Sequence, residues 1–311
     1  MIGKEIRVFS PATVSNVGPG FDVMGFAIHE PGDEVTVRLV PGRGVKLIKI
    51  TGDSGQLSLN THENAVSIPV KAMYERLDLD FQVEIELRKC MPIGSGLGSS
   101  AASAVGGIFA LNEILEGKFP KEELLKFALQ GERYTSGSNH ADNVAACLYG
   151  GFVLVRNGPP LDIVPVSTPD NLVCTLVSPK IEVRTKEARK LLPKTVPLSV
   201  AVNQLGNAAA MVSGLMRGDM DVVGRAMEDL IAEPVRAKLI PGYDKIRQAA
   251  LDAGAIGCHI SGSGPSMFAF SEEEETAMRI GRAMKMVLEG LFISCSVYIS
   301  RINTNGPRII G

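Results

Sequence analysis

Residues 92–103, PIGSGLGSSAAS, hold three glycines in five positions and four serines, with no lysine. Gly94, Gly96 and Gly98 give the backbone access to positive φ and let it approach a ligand closely. The small apolar run that follows predicts a helix from about Ser99. Its free N–H groups and positive dipole end make an anion site suited to phosphate. The stretch that would border a bound nucleotide phosphate is Pro92, Ile93, Gly94, Ser95, Gly96, Leu97, Gly98, Ser99, Ser100, Ala101 and Ala102. The Walker pattern fails because Gly98 is followed by serine rather than lysine. The dinucleotide pattern GxGxxG fails because position 99 is serine. A glycine-serine loop that only caps a helix is the competing reading.

The elements around the loop must present it as strand, loop and helix. In FQVEIELRKC, Phe81, Val83, Ile85 and Leu87 alternate with polar residues, which predicts a strand with one buried face. SAASAVGGIFALNEIL is small and apolar on most sides and predicts a buried helix, and PKEELLKFALQGERYT an amphipathic one. SGSNHADN reads as a loop, and VAACLYGG as a short helix stopped by glycines. Near the start, IRVFSPATVSNVGPGFDVMGFAI reads as strand, glycine-rich loop, strand. DEVTVRLV and VKLIKI suggest antiparallel strands. ENAVSIPVKAMYERL has helical spacing, with Pro69 near its first turn.

The pattern breaks at NGPP, so a division into 1–155 and 156–311 is expected. Beyond it, strands are expected at 152–156, 172–177, 256–260, 266–270 and 294–300. Helices are expected at about 185–192, 198–217, 219–232 and 242–253. Strands and helices mix without strict alternation, which favours an α+β fold.

The 311 residues, 45% hydrophobic and 21% charged, have an ordinary globular composition long enough for two domains. A net charge of −2 and the lack of a basic run argue against nucleic acid or an anionic membrane as partner. Apolar stretches are too short or too broken to span a bilayer, and the start lacks a signal-peptide core. The five cysteines include no CxxC, consistent with a reducing, cytoplasmic setting, and no zinc site is suggested.

PIGSGLGSSAAS closely resembles the P-x-x-x-G-L-G-S-S-A-A motif of the GHMP superfamily of galactokinases, homoserine kinases, mevalonate kinases and phosphomevalonate kinases. SPATVSNVGPGFDVMGFAI resembles the first motif in its homoserine-kinase version, and SGSGPSMFAF, at 261–270, the third. The three motifs come in the expected order, and the resemblance extends over essentially the whole chain. The resemblance implies a two-domain α+β fold, with an N-terminal mixed sheet plus helices and a C-terminal ferredoxin-like α/β sandwich. Two departures set the chain apart within the superfamily. Thr13 stands where mevalonate kinases carry lysine. Counting back from Gly150-Gly151, Asn143 stands where they carry an aspartate base, and asparagine cannot take a proton as a base. Asp142 is next door but is expected to point elsewhere on its helix.

The resemblance further implies ATP as donor and Mg²⁺ as metal. Ser100 and Glu132 would hold the metal, Ser99 would sit on phosphate, and Asn64 would contact adenine while also capping a helix. An acceptor such as L-homoserine carries an ammonium, a carboxylate and a hydroxyl. Asp22, with Asn16, would meet the ammonium, and Arg189 and Arg236 the carboxylate, which suits their planar forks. Asn143 would hold the hydroxyl end, with Thr185 and His140 as neighbours. Gly262 and Gly264 would let the third motif approach the substrate. Ordinary readings compete for several of these, a solvated helix end for Glu132 and a helix surface for Arg189. With no carboxylate base aligned, the hydroxyl proton is expected to pass to the transferred phosphoryl group, with charge stabilised by the loop amides. Another kinase of the superfamily and a non-catalytic nucleotide-binding protein are the alternatives. The superfamily also suggests a homodimer.

Overall fold

In a computed structural model, which describes residues 1–136, 141–156, 158, 160–183 and 185–311, the chain forms two sheets. The first is built on β1 (Glu5–Ser15) and β2 (Met24–Val40), an antiparallel pair. β2 is one long strand that takes in both MGFAI and DEVTVRLV. β3 (Gly44–Thr51) does not pair with β2. Instead β4 (Gln82–Arg88) lies between them, antiparallel to β2 and parallel to β3. The antiparallel expectation for β3 is thus corrected. The reason lies in the connection: α1 (Ser67–Leu77) carries the chain from β3 to β4, and such a crossover joins parallel strands. Pro69 falls in the first turn of α1, where its missing N–H costs little.

The layer behind this sheet is α2 (Ser99–Ile114), α3 (Lys121–Ser136) and α4 (Ala141–Tyr149). α2 is buried on most sides because its face is made of alanine, glycine and serine, which let neighbours approach closely. Val66 and Val70, beside and within α1, pack on Gly107, where an added Cβ would lie 2.9 Å from each.

β5 (Phe152–Arg156) pairs with β2 and with β6 (Asp162–Val166), a strand that NGPP and Pro165 conceal in the sequence. The expected division at 155/156 falls inside this hairpin, and sheet membership changes after Val166. The second sheet has the order β10-β7-β9-β8, all antiparallel, from β7 (Val173–Pro179), β8 (Gly257–Ile260), β9 (Met267–Ser271) and β10 (Cys295–Arg301). Helices connect β7 to β8 and β9 to β10, so this is the ferredoxin-like arrangement.

The helices are α5 (Thr185–Lys190), α6 (Leu198–Arg217), α7 (Met220–Ala226), α8 (Glu233–Arg236), α9 (Tyr243–Asp252) and α10 (Glu274–Gly290). The helix expected over 219–232 stops at Ala226. Past it, Asp229 draws the N–H groups of Ile231, Ala232 and Glu233 onto its carboxylate, a local competitor to helix. The expectations contained no helix at 274–290, although α10 buries Ala277, Ile280, Met284 and Leu288 at helical spacing.

The two sheets meet around Phe26 of β2. Its ring stacks on Phe152 at 5.7 Å and contacts Phe268 and Phe270 of β9 at 5.7 and 5.4 Å. A short strand β11 (Arg308–Ile309) returns the chain to β1. Among the described residues, no helix is long and apolar enough to cross a membrane.

Candidate active site

The glycine-rich loop connects β4 to α2 and is held from both sides. Gly94, Gly96 and Gly98 all have positive φ, from 65° to 80°. Thr13 N–H of β1 donates to Leu97 O at 3.1 Å. From the third motif, Ser261 Oγ donates to Gly96 O at 2.6 Å and Ser266 N–H to Ser95 O at 3.2 Å. Gly96 has no room for a side chain, since a Cβ would lie 2.3 Å from Ser261 O. Gly98 is the N-cap of α2 and supplies no side-chain cap. The first N–H groups of that helix and the loop amides therefore make an anion cradle. The Ser99 hydroxyl is buried and has no hydrogen-bond partner among the described residues, an unmet polar atom in the first turn.

Beneath the cradle lies a buried ion pair that the motif reading did not anticipate. Lys89 and Asp33 are both almost fully buried, and their side chains are paired. The Lys89 ammonium also donates to Ser99 O and Ser103 Oγ, each at 2.9 Å, while Asp33 accepts from Cys90 N–H at 2.9 Å. This pair ties the end of β4 to the first turn of α2. The signal was present in the alternation. Lys89 continues the inward series Phe81, Val83, Ile85, Leu87, and Asp33 begins the inward series Val35, Val37, Leu39.

Ser100 Oγ donates to Glu132 Oε2 at 2.6 Å, and Glu132 is 3% exposed. The sequence-predicted metal pair is therefore brought together, and Glu132 is not the solvated helix end of the competing reading. Two hard oxygen donors beside an anion cradle fit Mg²⁺, which takes few protein ligands. Among the described residues no cluster of three or more His, Cys, Asp or Glu side chains could hold a metal. Asn64 is buried, accepting from Val66 N–H at 3.0 Å and donating to Ser58 O at 3.0 Å, so its helix-entry role is present.

The two departures from the mevalonate-kinase pattern touch each other. Thr13 Oγ1 donates to Asn143 Oδ1 at 2.7 Å, and Asn143 Nδ2 donates to Ser15 Oγ at 2.8 Å. Gly98 abuts the pair: an added Cβ would lie 1.9 Å from Thr13 Oγ1 and 2.9 Å from Asn143 Oδ1. A neutral hydroxyl-amide chain thus occupies the place beside the helix start where the mevalonate-kinase pattern described above calls for lysine and aspartate. The Asp142 side chain turns back to accept from Asn143 N–H at 3.0 Å.

The third cluster gathers around Phe21. Asn16 and Asp22 have φ of 55° and 58°, a conformation costly for non-glycine residues, and Asn16 Oδ1 accepts from Asp22 N–H at 2.8 Å. Arg189 of α5 forms a two-point ion pair with Asp22, one bond being 3.2 Å. The hydrogen bond to Asp22 raises the Arg189 guanidinium above its ordinary range. Arg236 of α8 is 3% exposed, donates from Nη1 to Gly262 O at 2.8 Å, and its buried Nε has no partner among the described residues. Burial pushes its pKa down, opposed by the charges of Asp22, Asp229 and Asp142. The two guanidinium carbons lie 5.6 Å (Arg189) and 5.0 Å (Arg236) from the Phe21 ring centre. Thr185 Oγ1 is 3.3 Å from Ser263 Oγ. Asn16, Asp22, Arg189, Arg236 and Gly262 thus converge, Thr185 reaches the same third-motif loop, and His140 lies outside the described residues.

This geometry matches known proteins. The family description "GHMP kinases N terminal domain" fits residues 64–151, and "GHMP kinases C terminal" fits residues 211–289. The chain is 46% identical to a homoserine kinase of Chlorobium phaeobacteroides, over 99% of this chain and all of that protein. It is 40% identical to a homoserine kinase of Pyrococcus abyssi, over 95% of this chain and 96% of that one. A crystal structure of homoserine kinase from Cytophaga hutchinsonii superposes with a TM-score of 0.97 at 52% identity, covering 100% of this chain and 98% of that one. A mevalonate kinase from L. major, at 18% identity and a TM-score of 0.69, shares the fold. On motifs, topology and full-length likeness alike, the chain belongs to the GHMP kinase family and, within it, to the homoserine kinases.

Proposed function

We propose that this protein transfers the γ-phosphoryl group of ATP to the hydroxyl of L-homoserine, in threonine biosynthesis. One observation carries the reading, the placement of Gly262. Its N–H donates to Ser15 O at 3.0 Å, its carbonyl accepts from buried Arg236, and its Cα faces Gly96 of the phosphate loop. The phosphate cradle and Arg236 therefore share one glycine between them, which supports a reading in which donor and acceptor would lie side by side.

Amides from Gly94 to Ala101, with the Ser99 hydroxyl, would bind the phosphates, and Asn64 the adenine. Ser100 and Glu132 would hold Mg²⁺. When bound, the metal neutralises charge on the phosphate oxygens. A zwitterionic acceptor can replace the Asp22–Arg189 bonds one for one, its ammonium meeting Asp22 and Asn16 and its carboxylate meeting Arg189 and Arg236. Thr185 and His140 would border it. Asn143, fixed between Thr13 and Ser15, would hold the acceptor hydroxyl by a hydrogen bond. As the hydroxyl oxygen bonds to phosphorus and the bond to the ADP oxygen breaks, the hydroxyl proton would pass to a transferred phosphoryl oxygen. An amide cannot take it. A coupled assay of ADP release with L-homoserine, mevalonate, shikimate and galactose tests the reading, and turnover confined to L-homoserine is expected.

A cytoplasmic setting, free of membrane and nucleic acid, and a homodimer belong to the same reading. Five unpaired cysteines support the first. An exposed apolar face on α6, formed by Leu198, Val202 and Leu205, supports the second.

A further inference from the structure

A buried polar cluster that takes no part in the proposed chemistry joins α8, α9 and β8. His259 of β8 is 2% exposed, Tyr243 of α9 is also buried, and Glu233 of α8 is partly buried. His259 Nδ1 lies 2.9 Å from Ile260 O, an atom that can only accept, so Nδ1 carries a hydrogen. Nε2 lies 3.3 Å from Glu233 Oε1, the same oxygen that accepts the Tyr243 hydroxyl, within ion-pair range but outside hydrogen-bond geometry, so the buried Nε2 has no hydrogen-bond partner among the described residues. A bare Nε2 lone pair facing a bare carboxylate would be repulsive. A protonated imidazole turns that repulsion into an ion pair.

The position of the cluster in the chain gives it a use. Glu233 opens α8 and Arg236 closes it, three residues on. His259 lies in β8, and Gly262 follows it by the same three residues. Arg236 and Gly262 are themselves hydrogen-bonded, so the two backbones are joined at two rungs. The outer rung is Glu233–His259 and the inner rung carries the arginine. On its other side α8 is fixed by Asp229, which Gln204 of α6 links to Pro19 O in the turn before Phe21.

We propose that Glu233, His259 and Tyr243 are positioning residues for the amino-acid acceptor, clasping α8 to β8 so that Arg236 meets the acceptor carboxylate. This rests on the reading of Arg236 given above. The charged or titratable groups around the histidine are Glu233 of α8, Asp229 before it, Tyr243 and Arg247 of α9, and Cys258 of β8. β9 packs its Phe268 ring 6.3 Å from the imidazole and has no ionisable residue. Burial alone would favour neutral His259, but the neighbouring carboxylates of Glu233 and Asp229 outweigh it and raise the pKa. The folded protein therefore holds the proton more tightly than the unfolded chain. The clasp is whole below the ordinary histidine range and is lost as pH rises through the raised value.

The test is steady-state kinetics across about pH 6 to 9, a span that brackets the ordinary histidine value. KM for L-homoserine and KM for ATP are compared in the wild type, His259→Gln and Glu233→Gln. In the wild type, KM for L-homoserine should rise with pH while KM for ATP stays flat. In the variants, KM for L-homoserine at pH 7 should be raised about tenfold, its pH step should vanish, and KM for ATP should stay within about twofold. Titration of the acceptor's own ammonium is common to all three proteins and drops out of the comparison. Equal rises in both KM values, or a pH step that survives in His259→Gln, would overturn the proposal. Should both variants fail to fold by circular dichroism, an NMR titration of His259 in the wild type decides. By reciprocal linkage, saturating L-homoserine should raise its pKa, and an unchanged value would contradict the clasp. If the wild type does not phosphorylate L-homoserine at all, the functional reading has failed. If it does, and the variants behave like it, the clasp alone has failed.

Discussion

At the scale of single residues, the account turns on Asn143. Thr13 and Ser15 hold its amide, so Asn143→Ala leaves a buried Thr13 hydroxyl without its acceptor and, on the proposed reading, the substrate hydroxyl without its hydrogen bond. Losing such bonds costs about 1–3 kcal/mol each. The expected result is kcat lowered about ten- to a hundredfold, measured by coupled assay, with folding intact. Asn143→Asp should not raise kcat, and the kcat–pH profile should show no new limb assignable to a base. At the metal pair, Ser100→Ala or Glu132→Gln should move half-saturation by Mg²⁺ at least about tenfold higher. A titration of activity against Mg²⁺ reads this directly.

The elements explain why these side chains stay in place. α2 begins at a glycine with positive φ that abuts the Thr13–Asn143 pair. Gly98→Ala should cost about 1–2 kcal/mol for the left-handed backbone alone, and push Asn143 out of line. Denaturant unfolding measures the first effect and kcat the second. The Lys89–Asp33 pair makes a different prediction. Lys89→Met strands a buried carboxylate and should destabilise by about 3–5 kcal/mol, whereas adding Asp33→Leu should restore much of the loss. Both elements were partly legible beforehand. The loop glycines and the helix after them followed from motif and spacing, whereas the pairing of Ser100 with Glu132 was implied only by the family resemblance. Lys89 was missed because the strand's parity was read only as far as Arg88, one residue short of it. β6 was hidden because prolines mark edge strands as readily as loops. The end of α7 was overrun because the capture of backbone N–H groups by Asp229 does not alter hydrophobic periodicity.

For the whole molecule, the two sheets share the Phe26, Phe152, Phe268 and Phe270 cluster. Phe26→Ala should therefore weaken the N- and C-terminal halves together, by about 3–5 kcal/mol in a single unfolding transition. Contacts of this range, such as Asp22 with Arg189 or Gly262 with Gly96, were beyond local sequence patterns. Family resemblance named the residues, but only the fold could show that Thr13 and Asn143 are bonded, or that Arg236 is buried with an unmet N–H. The central claim is that a neutral amide at the phosphate loop and an acid-arginine set around Phe21 make an amino-acid alcohol the acceptor. The most direct measurement is transfer of labelled phosphate from ATP to L-homoserine, with and without Mg²⁺, beside mevalonate and galactose. The account predicts Mg²⁺-dependent O-phosphohomoserine and no product from the other two alcohols. Phosphorylation of mevalonate or galactose, or tight ATP binding with no transfer to L-homoserine, would contradict it.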